Sequence, residues 1–164
     1  MGLLIKANLL AMITGSIGSK MFQKTFMLSH DGVIKDITRG GGFSCAKYVT
    51  SVLLLNGLIE NIHATVESAL RDMENSGWYL CSRGPFDAFM PGTILLWEPL
   101  PASDGEYHKH IGFFMGSEKA VSNHLRSNVP REHHPTFGIK RGKPRRKIIA
   151  AYAHPILFYN EPAP

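Results

Sequence analysis

The sequence has few cysteines and no long apolar run. Its 2 cysteines in 164 residues, Cys45 and Cys81, are too few for a disulfide scaffold, and nothing else in the sequence suggests an oxidising compartment, so we expect free thiols. No apolar stretch approaches the roughly 20 residues that a membrane-spanning helix needs. The sequence therefore predicts neither a membrane span nor a disulfide framework.

Metal-binding motifs are also missing. The sequence contains neither HExxH nor a paired CxxC, so it predicts no metal site and no cofactor. A zinc site built from several histidines is a minor alternative, although their spacing matches no established pattern. The histidines concerned are His108, His110, His124, His133 and His134.

The composition is that of a globular protein. Apolar residues make up 44% and charged residues 19% of the chain, and its length predicts a single domain over 1–164, with a helical half at about 1–80 and a sheet half at about 90–156. In the opening segment, 1–22, Asn8 and Thr14 interrupt the apolar stretch and no Ala-x-Ala site follows, so we expect an amphipathic helix rather than a signal peptide. We expect a soluble protein, cytoplasmic or released by lysis or a non-classical route.

Two further helices are predicted in the first half. Ser44 is a suitable N-cap, apolar residues then recur at helical spacing, and Gly57 provides a C-terminal stop, so a helix is expected to begin at or next to Cys45. Another helix is predicted from about Asn61 to Asn75, closed by Gly77.

Short runs rich in β-branched or aromatic residues follow in the second half, separated by Pro, Gly, Ser and Asp. The predicted strands are Gly92–Glu98, His110–Gly116, Lys119–Asn123 and Arg146–His154. In the first half, the turn signal Asp31-Gly32 between short apolar stretches predicts an irregular or hairpin-like segment. Helices followed by strands indicate an α+β fold, with N-terminal helices packed on a C-terminal antiparallel β-sheet.

Cys45 stands where a nucleophile would be placed. A helix N-terminus supplies partial positive charge and free N–H groups that favour a thiolate, and the glycines at 40–42 would let a substrate backbone approach closely. A thiolate nucleophile also needs a general base, and His110 opens the most convincing predicted strand. A polar residue on the next strand, at Ser122, Asn123 or His124, would fix the imidazole tautomer. A single cysteine is more commonly a small buried residue, so only this ordered set favours catalysis.

The order SCAKYV, PGTILLWE, HIGFFMG and AVSNH, spanning Phe43 to His124, resembles the NlpC/P60 superfamily of papain-like cysteine peptidases and amidases. The motifs of that family usually read Asp-Cys-Ser-Gly-Phe, Gly-Asp-Leu-Val-Phe-Phe and His-Val-Gly-Ile-Tyr-hydrophobic-Gly. The segment HIGFFMG fits closely. Ser44 stands where the family has Asp, Ala46-Lys47 replaces Ser-Gly, and Gly92-Thr93 replaces Gly-Asp.

The resemblance implies a papain-like fold in which Cys45 is the nucleophile and His110 is the base and acid. The functional residue of the following strand commonly stands two positions after an inward apolar residue, so with Val121 in that place Asn123 is favoured and His124 is the alternative. The backbone N–H of Cys45 would contribute to an oxyanion hole. We expect the Cys45 sulfur to lie within about 4 Å of a His110 ring nitrogen.

The expected activity is hydrolysis of an amide bond through a thioester acyl-enzyme, with cell-wall peptides as the expected substrate. Residues expected to bind the substrate are Gly42, Ser44, Trp97 and His134. An acyltransferase or thioesterase on the same fold is one alternative, because other nucleophiles can resolve a thioester. A non-catalytic module that binds polyanions is another.

The polyanion alternative depends on the segment KRGKPRRK, which accounts for much of the net charge of +5. Its basic residues are Lys140, Arg141, Lys143, Arg145, Arg146 and Lys147. A solvated basic loop is the commoner role of such a run, so the contact with a polyanion is a secondary expectation.

Overall fold

The structure is a computed structural model and describes residues 2–82, 88–102 and 104–159. Within these residues the α-helices are α1 (Ile5–Gly15), α2 (Cys45–Leu55) and α3 (Val66–Asn75). The strands are β1 (Phe26–Leu28), β2 (Ile34–Asp36), β3 (Tyr79–Ser82), β4 (Ile94–Pro101), β5 (Tyr107–Gly116), β6 (Lys119–His124), β7 (Val129–His133), β8 (Ile139–Lys140), β9 (Lys143–Pro144) and β10 (Ile148–Ala153). Short 3-10 helices lie at Arg39–Gly41 and Pro155–Phe158.

Six strands form one antiparallel sheet in the order β3-β10-β4-β5-β6-β7. The expected α+β class, with N-terminal helices and a C-terminal antiparallel sheet, is therefore confirmed. Strands β1 and β2 form a separate hairpin around the predicted Asp31-Gly32 turn, and β8 and β9 form another. None of the described helices has the length and apolar character that crossing a membrane requires.

The helices cover one face of the sheet and bury the larger core. Tyr48 and Val49 of α2 are fully buried in the same cluster as Ile111 and Phe113 of β5 and the nearly buried Val121 of β6. Buried helical residues in that cluster also include Leu9, Ile13, Val52, Leu53, Ala69 and Met73. Because successive strand residues point to opposite faces, Ile111 and Phe113 define the helix-covered face of β5.

A smaller core lies on the other face of the sheet. It contains Leu95 and Trp97 of β4 and Phe114 of β5, all buried. Trp97 is paired directly with His110 in the β4–β5 ladder, and directly paired residues in antiparallel strands project to the same side. His110 therefore belongs to the face that carries the smaller core.

Helix α3 begins at Val66, five residues later than the sequence predicts. The carboxylate of Asp72 accepts the backbone N–H groups of Glu60 and Asn61 at 3.1 and 2.9 Å and contacts the His63 ring at 2.6 Å, which holds this segment outside the helix. The Thr65 hydroxyl then accepts the Ser68 N–H and caps the first turn.

Candidate active site

Cys45 is the first residue of α2, as the sequence predicts. The turn before it is tied together at the carbonyl of Gly41, which accepts the Ser44 hydroxyl at 2.9 Å and the Asn123 side-chain amide at 2.8 Å. Ser44 occupies the N-cap position, but its side chain makes no capping hydrogen bond to the helix. Ser44 is fully buried, and its side chain braces the preceding turn instead of capping the helix.

The glycines of this turn are not equivalent. Gly41 has a φ of +98°, and a Cβ added there would meet the Asn128 carbonyl oxygen at 2.8 Å, so both its conformation and its contact require glycine. Gly42 has a φ of −60°, and an added Cβ would meet only the Arg39 carbonyl oxygen, at 3.7 Å. A substrate backbone was expected to approach closely at Gly42. The close approach is instead made at Gly41, by the protein's own Asn128 carbonyl.

The thiol of Cys45 is surrounded by backbone donors but is poorly solvated. Burial raises the pKa of this thiol above its usual value, while the N–H groups of Ile111 and Ala46 and the positive charge of Arg146 act in the opposite direction. Burial dominates, so the resting group is a thiol rather than the thiolate that a helix N-terminus alone would favour.

The N–H of Ile111 belongs to the peptide group that joins Ile111 to His110. Phe114 exchanges its backbone hydrogen bonds with the β4 side, at Thr93 and Gly92, and backbone groups alternate along a strand, so Ile111 N–H points toward β6. The β5–β6 ladder begins only at the pair Gly112 and Ser122. The opening beyond that pair is where the Cys45 sulfur reaches the backbone of β5.

The ring of His110 is held by Ser122. Nε2 of His110 lies 2.8 Å from the Ser122 hydroxyl, and this hydroxyl lies 2.7 Å from Nε2 of His133 on β7. Nδ1 of His133 lies 2.8 Å from the backbone carbonyl of His134. We call this set, His110, Ser122, His133 and the His134 carbonyl, the imidazole network.

Aromatic rings enclose the imidazole network. Phe137 stacks on His133 with ring centroids 4.0 Å apart and an interplanar angle of 15°, and it also contacts His110 at 5.8 Å. The indole of Trp97 lies 5.4 Å from the His110 ring and 5.7 Å from the His133 ring. These rings limit solvent access, and burial lowers the pKa of His110 well below its usual value and that of His133 to about 4. Both imidazoles are therefore neutral at pH 7.

Asn123 does not contact His110, contrary to the sequence-based expectation. Its side chain lies on the helix-covered face with Val121 and donates to the Gly41 carbonyl. The prediction took the wrong face of β6, because it placed the functional residue on the face of the inward apolar residue. Ser122, one position earlier, pairs with Gly112 and so shares a face with His110.

His124, the alternative third residue, shares the face of Ser122 but is engaged elsewhere. Its Nδ1 accepts the backbone N–H of Ser127 at 3.3 Å and lies 3.1 Å from the Ser127 hydroxyl. Its charge influences His110 and His133 without a hydrogen bond to either. The sequence-based prediction gave His133 no part in this set. Arg131 lies opposite Ser122, and His133, two residues further along β7, projects to the same face, so only the register of β6 and β7 reveals its role.

The structure places the Cys45 sulfur beside the backbone that joins His110 to Ile111, but it does not link the two side chains. Across the described residues, no hydrogen bond links the Cys45 sulfur to the His110 ring, and Nδ1 of His110 has no hydrogen-bond partner. The His110 ring lies on the sheet face that carries the smaller core, whereas α2 packs on the other face. The expected separation of about 4 Å between the Cys45 sulfur and a His110 ring nitrogen stays a prediction. Cys81 is half-buried on β3, and its thiol lies 3.4 Å from the Ala151 carbonyl.

The other expected substrate contacts serve the fold. Trp97 is fully buried and donates from Nε1 to the Pro135 carbonyl at 2.6 Å, so its ring walls the imidazole network. His134 accepts the Thr136 N–H at Nδ1, and its backbone carbonyl ends the imidazole network. Trp97 therefore has no exposed surface for a substrate, and the substrate contact expected at His134 stays a prediction.

The basic segment is divided between the interior and the surface. Arg146 is half-buried and donates from Nε and Nη2 to the Glu98 carbonyl at 3.0 and 2.9 Å and from Nη2 to the His108 carbonyl at 3.0 Å, so it is not part of an exposed patch. The exposed members are Lys140, Arg141, Lys143, Arg145 and Lys147. In the part of the chain that the structure describes, none of their side chains forms an ion pair or a hydrogen bond.

The histidines considered for zinc do not converge on one point. His108 is bonded to Asp104 at 3.0 Å and packs on Phe43, whereas His110 and His133 are bridged by a serine. The described ranges, with their gaps at 83–87 and 103, contain no group of three or more His, Cys, Asp or Glu side chains arranged to hold a metal ion.

The site offers a half-buried thiol at a helix N-terminus, backbone N–H groups beside it, and a neutral imidazole on the adjoining strand whose Nε2 is anchored by Ser122. Comparison of the chain with protein-family models, with curated proteins and with solved structures finds no match.

Proposed function

We propose that the protein is a cysteine hydrolase of papain-like architecture, similar to the NlpC/P60 superfamily, that cleaves an amide bond. The observation that carries the proposal is the position of Cys45 at the start of α2, with its sulfur against the peptide that joins His110 to Ile111. This proposal also accounts for the anchoring of His110 by a polar residue on the next strand, since a base must be oriented as well as present.

In the proposed reaction, Nδ1 of His110 accepts the proton of the Cys45 thiol as the sulfur attacks the substrate carbonyl carbon. The carbonyl oxygen becomes an oxyanion, for which the Cys45 N–H at the helix start is the available donor. His110 then returns the proton to the leaving nitrogen, the C–N bond breaks, and a thioester remains. Water, deprotonated by His110, hydrolyses the thioester and restores the thiol.

The electrostatics of the site favour this order of events. The thiol and the imidazole are both neutral at rest because burial raises the pKa of Cys45 and lowers that of His110. Proton transfer therefore accompanies attack, when the developing charge can be stabilised by the N–H groups and by Arg146. A pre-formed thiolate–imidazolium pair is not required.

Cell-wall peptides are the proposed substrate class, by resemblance to the NlpC/P60 motifs. Purified peptidoglycan incubated with the protein should yield fragments with new amino and carboxyl termini by mass spectrometry. Cys45→Ala and His110→Gln should release none, whereas Cys81→Ser should release the wild-type set. Equal fragmentation by Cys45→Ala would refute the mechanism, and cleavage of other peptide amides but not of peptidoglycan would refute only the substrate class.

An acyltransferase on the same site is the alternative within this chemistry. Adding a small primary amine to the digestion separates the two, because a transferase would produce the amide of the added amine in preference to the free acid.

Polyanion binding is a second candidate function, favoured by the exposed cations of the β8–β9 hairpin and its flanks. Lys140, Arg141, Lys143 and Arg145 surround one open depression and have no acidic partner among the described residues. The hairpin follows Phe137, which stacks on His133. An anionic polymer bound there would lie beside the imidazole network, so binding and hydrolysis are compatible.

A further inference from the structure

We infer that His133, acting through the hydroxyl of Ser122, is a positioning residue that holds the His110 ring with its proton on Nε2 and its lone pair on Nδ1. The proton arrangement follows from the hydrogen bonds once His133 is neutral. Its catalytic consequence rests on the proposed function, because it matters only if His110 serves as the base for Cys45.

The His134 carbonyl, at one end of the imidazole network, determines which group donates in each of its hydrogen bonds. The carbonyl oxygen of His134 can only accept, so Nδ1 of His133, 2.8 Å away, carries a proton and donates. A neutral imidazole has one N–H, so Nε2 of His133 is an acceptor. Burial keeps His133 neutral at pH 7.

The serine transmits this direction to His110. Because Nε2 of His133 accepts, the Ser122 hydroxyl 2.7 Å away must donate its single proton there. The Ser122 oxygen then has only lone pairs to offer to Nε2 of His110 at 2.8 Å, so that nitrogen carries the proton. Nδ1 of His110, which has no hydrogen-bond partner among the described residues, is left as the basic nitrogen.

Packing prevents the network from rearranging. His133 is sandwiched against Phe137 at a centroid distance of 4.0 Å, and Trp97 contacts both histidine rings. Gly112 allows Ser122 to approach, because a Cβ at this position would lie 2.6 Å from the Ser122 Cβ. The two histidines bridged by Ser122 should therefore hold opposite tautomers, His110 with Nε2–H and His133 with Nδ1–H.

The test is nuclear magnetic resonance of the whole protein labelled with ¹⁵N-histidine, at pH 7.5, where protonated and unprotonated ring nitrogens have distinct shifts. Wild type should show Nε2–H for His110 and Nδ1–H for His133. His133→Phe keeps a ring against Phe137 but removes the acceptor, which frees the Ser122 hydroxyl to donate to His110, so a fraction of His110 should convert to Nδ1–H. His133→Gln, which offers an amide oxygen and an N–H, should keep the wild-type pattern at His110.

Two further variants complete the experiment. Ser122→Ala should leave His133 as Nδ1–H but release the preference at His110, and it serves if His133→Phe does not fold. His124→Gln removes a nearby imidazole outside the network and should change neither tautomer. An Nε2–H form of His133 in wild type, or a His110 spectrum unaffected by both His133→Phe and Ser122→Ala, would overturn the inference.

Turnover of a cleaved peptide amide distinguishes this inference from the proposed function. His133→Phe should lower kcat by roughly tenfold with KM unchanged, because the fraction of His110 that carries its proton on Nδ1 cannot act as the base. His133→Gln should keep kcat near the wild-type value. Tautomers as inferred in a protein that cleaves nothing would refute the proposed function and leave the positioning of His110 intact.

Discussion

Gly112 and Ser122 face each other across β5 and β6 so closely that a Cβ on Gly112 would lie 2.6 Å from the Ser122 Cβ. The same Cβ would lie 2.7 Å from the Val121 carbonyl oxygen and 3.1 Å from the Trp97 ring. The glycine of the segment HIGFFMG therefore sets the distance at which Ser122 meets His110.

Replacing this glycine should damage both the sheet and the site. Gly112→Ala is expected to lower the free energy of unfolding by about 1 to 3 kcal/mol, because the added methyl group overlaps strand backbone that cannot move aside cheaply. Gly42→Ala, where the backbone is helical and the space is open, is the matched control and should change stability little. Urea unfolding of the two variants measures this, and equal stabilities would contradict the assignment of the close contact.

Ser122 and Asn123 should separate function from stability. Ser122→Ala is expected to reduce turnover by roughly 10- to 100-fold, because His110 loses its anchor. Asn123→Ala should instead destabilise the protein by about 1 to 2 kcal/mol, because the Gly41 carbonyl loses a buried donor, with a smaller effect on turnover. Rates are compared well below the melting temperature of each variant. A greater loss of turnover in Asn123→Ala than in Ser122→Ala would contradict this order.

Cys45 should react slowly with an alkylating agent in the resting protein. Because burial raises the pKa of its thiol above the usual value, carboxamidomethylation by iodoacetamide is expected to keep accelerating with pH where the rate of an ordinary thiol has reached its plateau. The measurement uses Cys81→Ser, so that a single thiol is followed by mass spectrometry. A rate that is already at its plateau near pH 7 would show that a thiolate is present at rest.

The protein should lose stability in mild acid because of its partly buried histidines, His110 and His133. An unfolded histidine takes up a proton near pH 6.5, whereas burial lowers the pKa of His133 to about 4 in the folded state, so the unfolded state binds more protons between these values. Stability should therefore fall as the pH falls from 6.5 to 4, by up to about 2 kcal/mol at pH 5 from His133 alone, with His110 adding to it.

Urea unfolding at pH 7 and pH 5 measures this loss, and His133→Gln should reduce it. The charged groups that act on His133, namely His124, His134 and Glu132, remain in that variant. The carboxylates whose pKa values are lowered, such as Asp72, act only below about pH 4 and do not contribute in this window. Equal stability at both pH values would mean that these rings are solvated.

The exposed cations around β8 and β9 should govern retention on heparin. Lys140→Gln/Lys143→Gln is expected to elute at clearly lower salt than wild type, because two unpaired cations are removed from one patch. Lys20→Gln/Lys35→Gln carries the same change in net charge on exposed positions elsewhere. If both double variants elute together, retention reflects net charge and the hairpin is not a binding site.

The elements of the fold were predictable where local signals are strong. The start of α2 at Cys45 and its stop near Gly57, which has a φ of +66°, follow from capping and glycine chemistry. The start of α3 was misplaced because Asp72, a residue within the helix, captures the N–H groups of Glu60 and Asn61. A tertiary contact of this kind leaves no mark in the local periodicity.

The candidate site was predictable only in part, for a related reason. Cys45 and His110 stand at recognisable positions, a helix start and a strand start. The choice among Ser122, Asn123 and His124 depends on register, which the pairing of Gly112 with Ser122 decides. His133 lies on a strand that the sequence did not suggest, since Val129–His133 contains a proline and three charged or ionisable residues.

Arg146 affects how the site responds when a negative charge forms at the Cys45 thiol. Its guanidinium is bound to the carbonyls of Glu98 and His108, beside the register shift that separates Trp97 from Leu100 in the β4–β5 ladder, so this cation is fixed when the sheet forms. Its charge acts on both Cys45 and His110. Any anion that forms at the thiol therefore finds its counter-charge already in place, and the surroundings need little reorganisation at the moment the charge appears.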